Sequence, residues 1–237
     1  MTALSIVPAD RLELKFEPRL WKFSEQRRAE IDAHFAALQS ERPGLWNGRV
    51  LLLHSWSLAD HVFRGSYLET DFASFIAWRD WDCPDPTVRN CFAMGALRAA
   101  NGAFLLGVMA PHTANARKIY FPCGTPDPND ITAAGTVDLE GSVCRELREE
   151  TGLEAGGLQG EPGWTCVMAG PRIAQIKVLQ SHENATRLRQ RIMDHLAQEA
   201  EPELADVRIV QGPADLDPMM PDFVVAFLRR HWGEGGH

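Results

Sequence analysis

Helix-like and strand-like stretches interleave along the whole chain, which predicts an α/β (α+β) fold. Three observations carry that expectation. Alternating and continuous apolar runs mark strands from Arg11 to Val210. Amphipathic stretches with capping residues mark helices between them. An Asp/Pro break near residue 85 splits the pattern in two.

In the first part, Arg11-Leu-Glu-Leu-Lys-Phe16 alternates in the manner of a half-buried strand. Ser24 is placed to cap a helix running to about Ser40, with Ile31, Phe35 and Leu38 on one face. Turn signals at Pro43-Gly44 and Asn47-Gly48 lead into strands over 49–54 and 61–69. A short aromatic helix over 71–81 follows, and Asp82-Cys-Pro-Asp-Pro86 ends it. Residues 1–88 thus read as an N-terminal α+β extension and 89–237 as the main domain.

The second part opens with a hairpin, 91–98 and 103–109 about an Asn101-Gly102 turn. A short strand, Lys118-Ile-Tyr-Phe121, runs into Pro122-Cys-Gly124, and a Pro/Asp/Gly-rich loop extends to Val137. A helix to about Thr151 comes next. Strands over 164–168 and 173–179, a helix near 184–198, a strand over 207–210 and a terminal helix from Asp222 complete the set.

Bulk properties narrow the class. The 237 residues are 45% hydrophobic, enough for a substantial core. No apolar run reaches the roughly 18 residues that span a bilayer. The first fifteen residues are charged and lack a signal-like apolar core, so a cytoplasmic protein without membrane contact is expected. Five cysteines occur without a C-x-x-C pair, against both a disulfide framework and a zinc site. A net charge of −8 with no basic stripe disfavours a nucleic-acid polymer as partner. An acidic protein that handles a small anion needs local positive charge, and metal ions supply it economically.

The most informative segment is Asp138-Leu-Glu-Gly-Ser-Val-Cys-Arg-Glu-Leu-Arg-Glu-Glu-Thr-Gly-Leu153. Asp138 is a good N-cap, and Gly152 stands where a C′ glycine ends a helix. Glu146, Glu149 and Glu150 fall within an arc of roughly 100° beside the apolar stripe Leu139, Val143 and Leu147. Arg148, Cys144 and Thr151 occupy the opposite face, suited to solvent. This layout is costly. Like charges at i,i+4 cost about 0.2–0.5 kcal/mol, and acids in the last turns oppose the macrodipole by roughly 0.3–1 kcal/mol each. Arg145 can pair with Glu149 at i,i+4, but one arginine cannot neutralise three acids. Hard carboxylate oxygens at this spacing suit Mg²⁺ or Mn²⁺.

The run Arg145-Glu-Leu-Arg-Glu-Glu-Thr-Gly-Leu153 resembles the second half of the Nudix box, R-E-U-x-E-E-x-G-U, at every specified position. Pro122-Cys-Gly124 is similar to the P-G-G ahead of that box, and the 91–109 hairpin resembles the family's opening strands. The resemblance covers about residues 90–230. The front half departs from the pattern: its Glu falls on Val137 and its Gly on Ile131. Gly124 to Arg145 encloses 20 residues where the motif has about 13, which implies an insertion within 125–135. Gly124 is then a candidate for the displaced glycine, and Asp130, Asp138 and Glu140 are candidates for the missing carboxylate.

The resemblance implies an α/β/α sandwich with a mixed sheet. It also implies a metal-dependent diphosphatase that cleaves a nucleoside diphosphate derivative, of nucleotide-sugar, ADP-ribose or coenzyme A type, into a nucleoside monophosphate and a phosphorylated remainder. Glu146, Glu149 and Glu150 become the metal ligands and Arg145 their orienting partner. Glu203, with Glu201 beside it, is the candidate general base from a later loop. Many relatives dimerise, so a homodimer is one expectation. Arg98, Lys118, Arg172 and Lys177 are candidate phosphate contacts, and the aromatic run Phe72 to Trp81 a candidate base-stacking surface. The alternative is a Nudix-fold nucleotide-binding or sensing module whose broken front half signals weakened catalysis.

Overall fold

The computed structural model describes residues 4–234. The leader reading and both expected domain ranges extend over 1–3 or 235–237, which lie outside the described residues. The elements are, in order, β1 (Leu4–Ala9), β2 (Arg11–Phe16), α1 (Lys22–Gln26), α2 (Arg28–Glu41), β3 (Arg49–Ala59), β4 (Val62–Asp71) and α3 (Phe72–Asp80). Then come β5 (Asn90–Arg98), β6 (Phe104–Met109), β7 (Ile119–Tyr120), β8 (Cys123–Gly124) and α4 (Leu139–Thr151). The rest are β9 (Gln159–Gly160), β10 (Trp164–Ala169), β11 (Arg172–Gln180), α5 (Ala185–Leu196), β12 (Leu204–Val210) and α6 (Asp222–His231).

The fold is mixed α/β. The main sheet runs β1-β10-β11-β5-β6-β12, with β7, β8 and β9 attached to β6, β5 and β11. Its β11–β5 pair is parallel, from Arg172 opposite Asn90 to Gln180 opposite Arg98, and the other pairs are antiparallel. Strand alternation sends β5 residues to opposite faces. A Cβ on Gly95 would come within 3.1 Å of Val143 on α4, whereas Phe92 meets Phe223 of α6 ring to ring at 5.6 Å. Thus α4 and α6 cover opposite sides, an α/β/α sandwich.

Strands from the first part of the chain lie in both sheets. β1, which lacks any strong sequence signal, forms the edge of the main sheet by pairing Leu4–Ala9 with β10. The second sheet, β2-β4-β3, has a parallel β2–β4 pair. Its continuous apolar run is explained by burial on both faces. Leu51, Leu53, Phe63 and Tyr67 enter the main core, whereas Val50, Leu52 and Leu68 pack with Trp21, Phe35 and Trp78 in a second cluster under α1–α3. Isolated bridges tie this sheet to the loop before α4, at Lys15–Thr136, and to the residue preceding β5, at Leu53–Arg89.

The helix expected from Ser24 to Ser40 is two helices broken at Arg27, and Ser24 sits inside the first, its hydroxyl donating to the Trp21 carbonyl at 2.8 Å. Trp21 displaces it as the N-cap because its own backbone is still extended. Deleting residues 1–9 would leave β10 an open edge. We expect a melting temperature lower by about 5 °C or more and concentration-dependent aggregation. An unchanged melting curve would show that β1 adds nothing. Among the described residues no helix is long and apolar enough to cross a membrane.

Candidate active site

α4 forms as the sequence dictates. The Asp138 side chain accepts from the Gly141 N–H at 2.9 Å, and Gly152 ends the helix in the left-handed region at φ 68°. The acids sit as the arc predicts, at the core rim, but unequally. Glu150 is buried at 5% exposure, Glu146 is half-buried and Glu149 is exposed. Thr151, expected in solvent, is buried. Its hydroxyl folds back onto the Leu147 carbonyl and accepts from the Leu153 N–H, so the helix end satisfies it locally.

Arg145 does not pair with Glu149. Its guanidinium grips Asp130 at 2.5 and 3.3 Å and also reaches Glu146 at 3.1 Å. Asp130 is fully buried and fixed in turn by the Asp127 N–H at 3.0 Å. Of the three candidates for the missing box carboxylate, only Asp130 stands beside Arg145. Asp138 caps α4, and Glu140 is exposed, 3.7 Å from Lys177. The loop between β8 and α4 thus places an acid against the arginine. A bidentate charged pair of this kind fixes the guanidinium plane, and that plane holds Glu146.

β8 lies across the end of these acids. The Cys123 N–H donates to Glu150 at 3.1 Å. A Cβ on Gly124 would meet the Glu146 carboxylate, so with any other residue there that carboxylate has to move. Gly124→Ala should push Glu146 aside, lowering turnover by about 10²-fold with the fold kept. Full activity in the variant would remove Gly124 from the site.

Electrostatics mark the cluster as strained. Burial pushes the Glu150 carboxyl well above the usual range; the Cys123 N–H opposes this, and Glu146, Glu203 and Glu149 reinforce it. Burial also raises Glu146, against the pull of Arg145. Among the described residues no cationic side chain pairs with Glu149 or Glu150. Glu203, although exposed, lies close enough to raise both Glu146 and Glu150. No three described Asp, Glu, His or Cys side chains already converge on one point as a finished metal set.

Two cavities open beside the acids and meet at Asn115, Tyr120 and Cys123. The first, about 530 Å³, is aromatic and cationic and contains Lys118 and Arg172. The second, about 930 Å³, carries Glu41, Arg42, His112, Glu201 and Glu203. Both expected later acids therefore face the same cleft, and so does the N-terminal part, through 41–45 and α3. Two expected phosphate contacts lie elsewhere: Arg98 pairs with Glu161 at 2.9 Å, and Lys177 sits over Trp164 near Glu140.

No family model matches the chain, and no curated protein does. Similar solved structures include a Nudix hydrolase from M. smegmatis, at 18% identity and a TM-score of 0.39, covering 60% of this chain and 82% of that one. A MutT protein from Methanosarcina mazei is 16% identical with a TM-score of 0.34, covering 62% and 94%. The C-terminal domain of mouse MUTYH, solved with human PCNA, is 15% identical with a TM-score of 0.38, covering 62% and 92%. Function has to be argued from the site itself.

Proposed function

We propose that this chain is a Nudix-type hydrolase, a metal-dependent diphosphatase that cleaves a nucleoside diphosphate derivative to a nucleoside monophosphate and a phosphorylated remainder. The observation that carries this reading is Glu150: a buried carboxylate beside Glu146, held by the N–H of Cys123, which itself lines both cavities, with no cationic side chain among the described residues to neutralise it. An uncompensated buried charge is expensive, and a site that keeps one has a use for it.

Carboxylate oxygens are the donor chemistry a hard cation takes. Glu146, Glu149 and Glu150 would hold Mg²⁺ or Mn²⁺ through carboxylate oxygens. A bound ion of this kind supplies neutralisation of diphosphate charge and a lowered pKa for water. The chain's own residues set the stage. Asp130 and Arg145 orient Glu146, the Cys123 N–H fixes Glu150, and Gly124 lets the strand close over both. Glu203 serves as general base, taking the proton of the attacking water from the open side of the cleft.

A second reading, a nucleotide-binding module with weakened catalysis, is favoured by the lack of a finished three-group metal set among the described residues. Phosphate-release assays on nucleotide sugars, ADP-ribose and coenzyme A, with Mg²⁺ or with EDTA, separate the two. Mg²⁺-dependent cleavage that Glu149→Gln abolishes supports the enzyme. Tight binding without cleavage supports the module.

A further inference from the structure

We infer that the first cavity is a nucleobase pocket and that the N-terminal part supplies its recognition surface through α3. The inference rests on the diphosphatase reading only for placing the phosphate end at the acids.

The helix is built for this. Asp71 caps it, accepting from the Ser74 N–H at 2.7 Å, and Arg28 clamps the cap at 2.7 Å. Ile76, Ala77 and Trp78 bury its inner side. Phe72, Phe75 and Arg79, spaced i, i+3 and i+7, share one face and all line the cavity. Across from them Phe92 and Phe223 form an edge-to-face pair at 5.6 Å. A space of about 530 Å³ whose lining includes Phe72, Phe75, Phe92, Tyr120 and Phe223 suits a flat heterocycle.

Polar groups select within that class. Asn90, at the start of β5, lines the cavity, and its Oδ1 is buried with no hydrogen-bond partner. A buried unmade bond costs free energy until a ligand makes it. A carboxamide presents a donor and an acceptor side by side, which matches the edge of a base. Lys118, which has no acidic partner among the described residues, also lines the cavity, as do Cys123 and Gly124. In this assignment the aromatic wall takes the base, Lys118 the phosphates, and Cys123 and Gly124, which touch Glu150 and Glu146, mark the end nearest the acids. α3 thus determines which substrates the acids meet.

The test uses ligands that a diphosphatase does not cleave. AMP, GMP, CMP and UMP are titrated calorimetrically against ribose 5-phosphate in Mg²⁺ buffer, with wild type, Asn90→Ala and Arg79→Ala. Arg79 is exposed, so its variant guards against misfolding. Wild type should bind at least one nucleotide tenfold or more tightly than ribose 5-phosphate. Asn90→Ala should erase that preference without changing ribose 5-phosphate affinity, and Arg79→Ala should reduce it. Equal wild-type affinities, or a preference that survives in both variants, would overturn the pocket. A protein that shows the preference but cleaves no diphosphate would remove the hydrolase reading and leave the pocket standing.

Discussion

Glu150→Gln is expected to stop turnover and yet raise the melting temperature of the metal-free protein. Losing several kcal/mol of charge stabilisation at a metal site corresponds to a drop of about 10³-fold or more. The stability change has the opposite sign because the native carboxylate is buried among Glu146, Glu203 and Glu149 with one N–H for a partner. Gln keeps the shape and can still accept from Cys123, but carries no charge. Relieving that burial is worth about 1–3 kcal/mol, or roughly 3–9 °C for a chain of this size. A merely structural Glu150 would lose stability on substitution and leave activity alone. Melting curves with EDTA, beside turnover with Mg²⁺, distinguish the two.

Arg145→Ala should have the largest effect on the fold itself. Asp130 is buried, and among the described residues its charge is matched by this guanidinium alone. Removing one partner of a buried pair costs about 3–5 kcal/mol, whereas replacing both by apolar groups is close to neutral. Urea unfolding should therefore show a large loss for Arg145→Ala and substantial recovery in the double variant Arg145→Met/Asp130→Leu. Neither protein should turn over substrate, since Glu146 loses its anchor in both. A double variant as unstable as the single one would mean that the loop, not the ion pair, is what fails.

Much of this was legible in the sequence because it is local. The cap at Asp138, the left-handed Gly152 and the crowding of Glu146 and Glu150 follow from helical spacing and need no tertiary knowledge. The strand runs and the hairpin of β5 and β6 were readable for the same reason. What escaped depends on distant partners. β1 is a strand because β10 offers it an edge, and its own sequence, with Pro8 inside it, says little. Arg27 breaks a helix whose pattern looked continuous. Asp130 was one of three candidates by sequence, and that it pairs with Arg145 depends on the path of the 125–135 loop. Thr151 was placed by angle alone, which ignores α5 packed over that end of α4, where His195 comes against Gly152. Phe72, Phe75 and Arg79 carried a visible i, i+3, i+7 pattern, but nothing in the sequence says which cavity that face meets.

The most direct test of the central claim is Mn²⁺ binding followed by the electron paramagnetic resonance signal of the free ion, for wild type, Glu149→Gln and Glu150→Gln. The wild-type protein should deplete the free signal saturably, and both variants should leave it largely intact at the same concentrations. Equal depletion by all three proteins, or none by the wild type, would contradict the assignment of this acid cluster as the metal site.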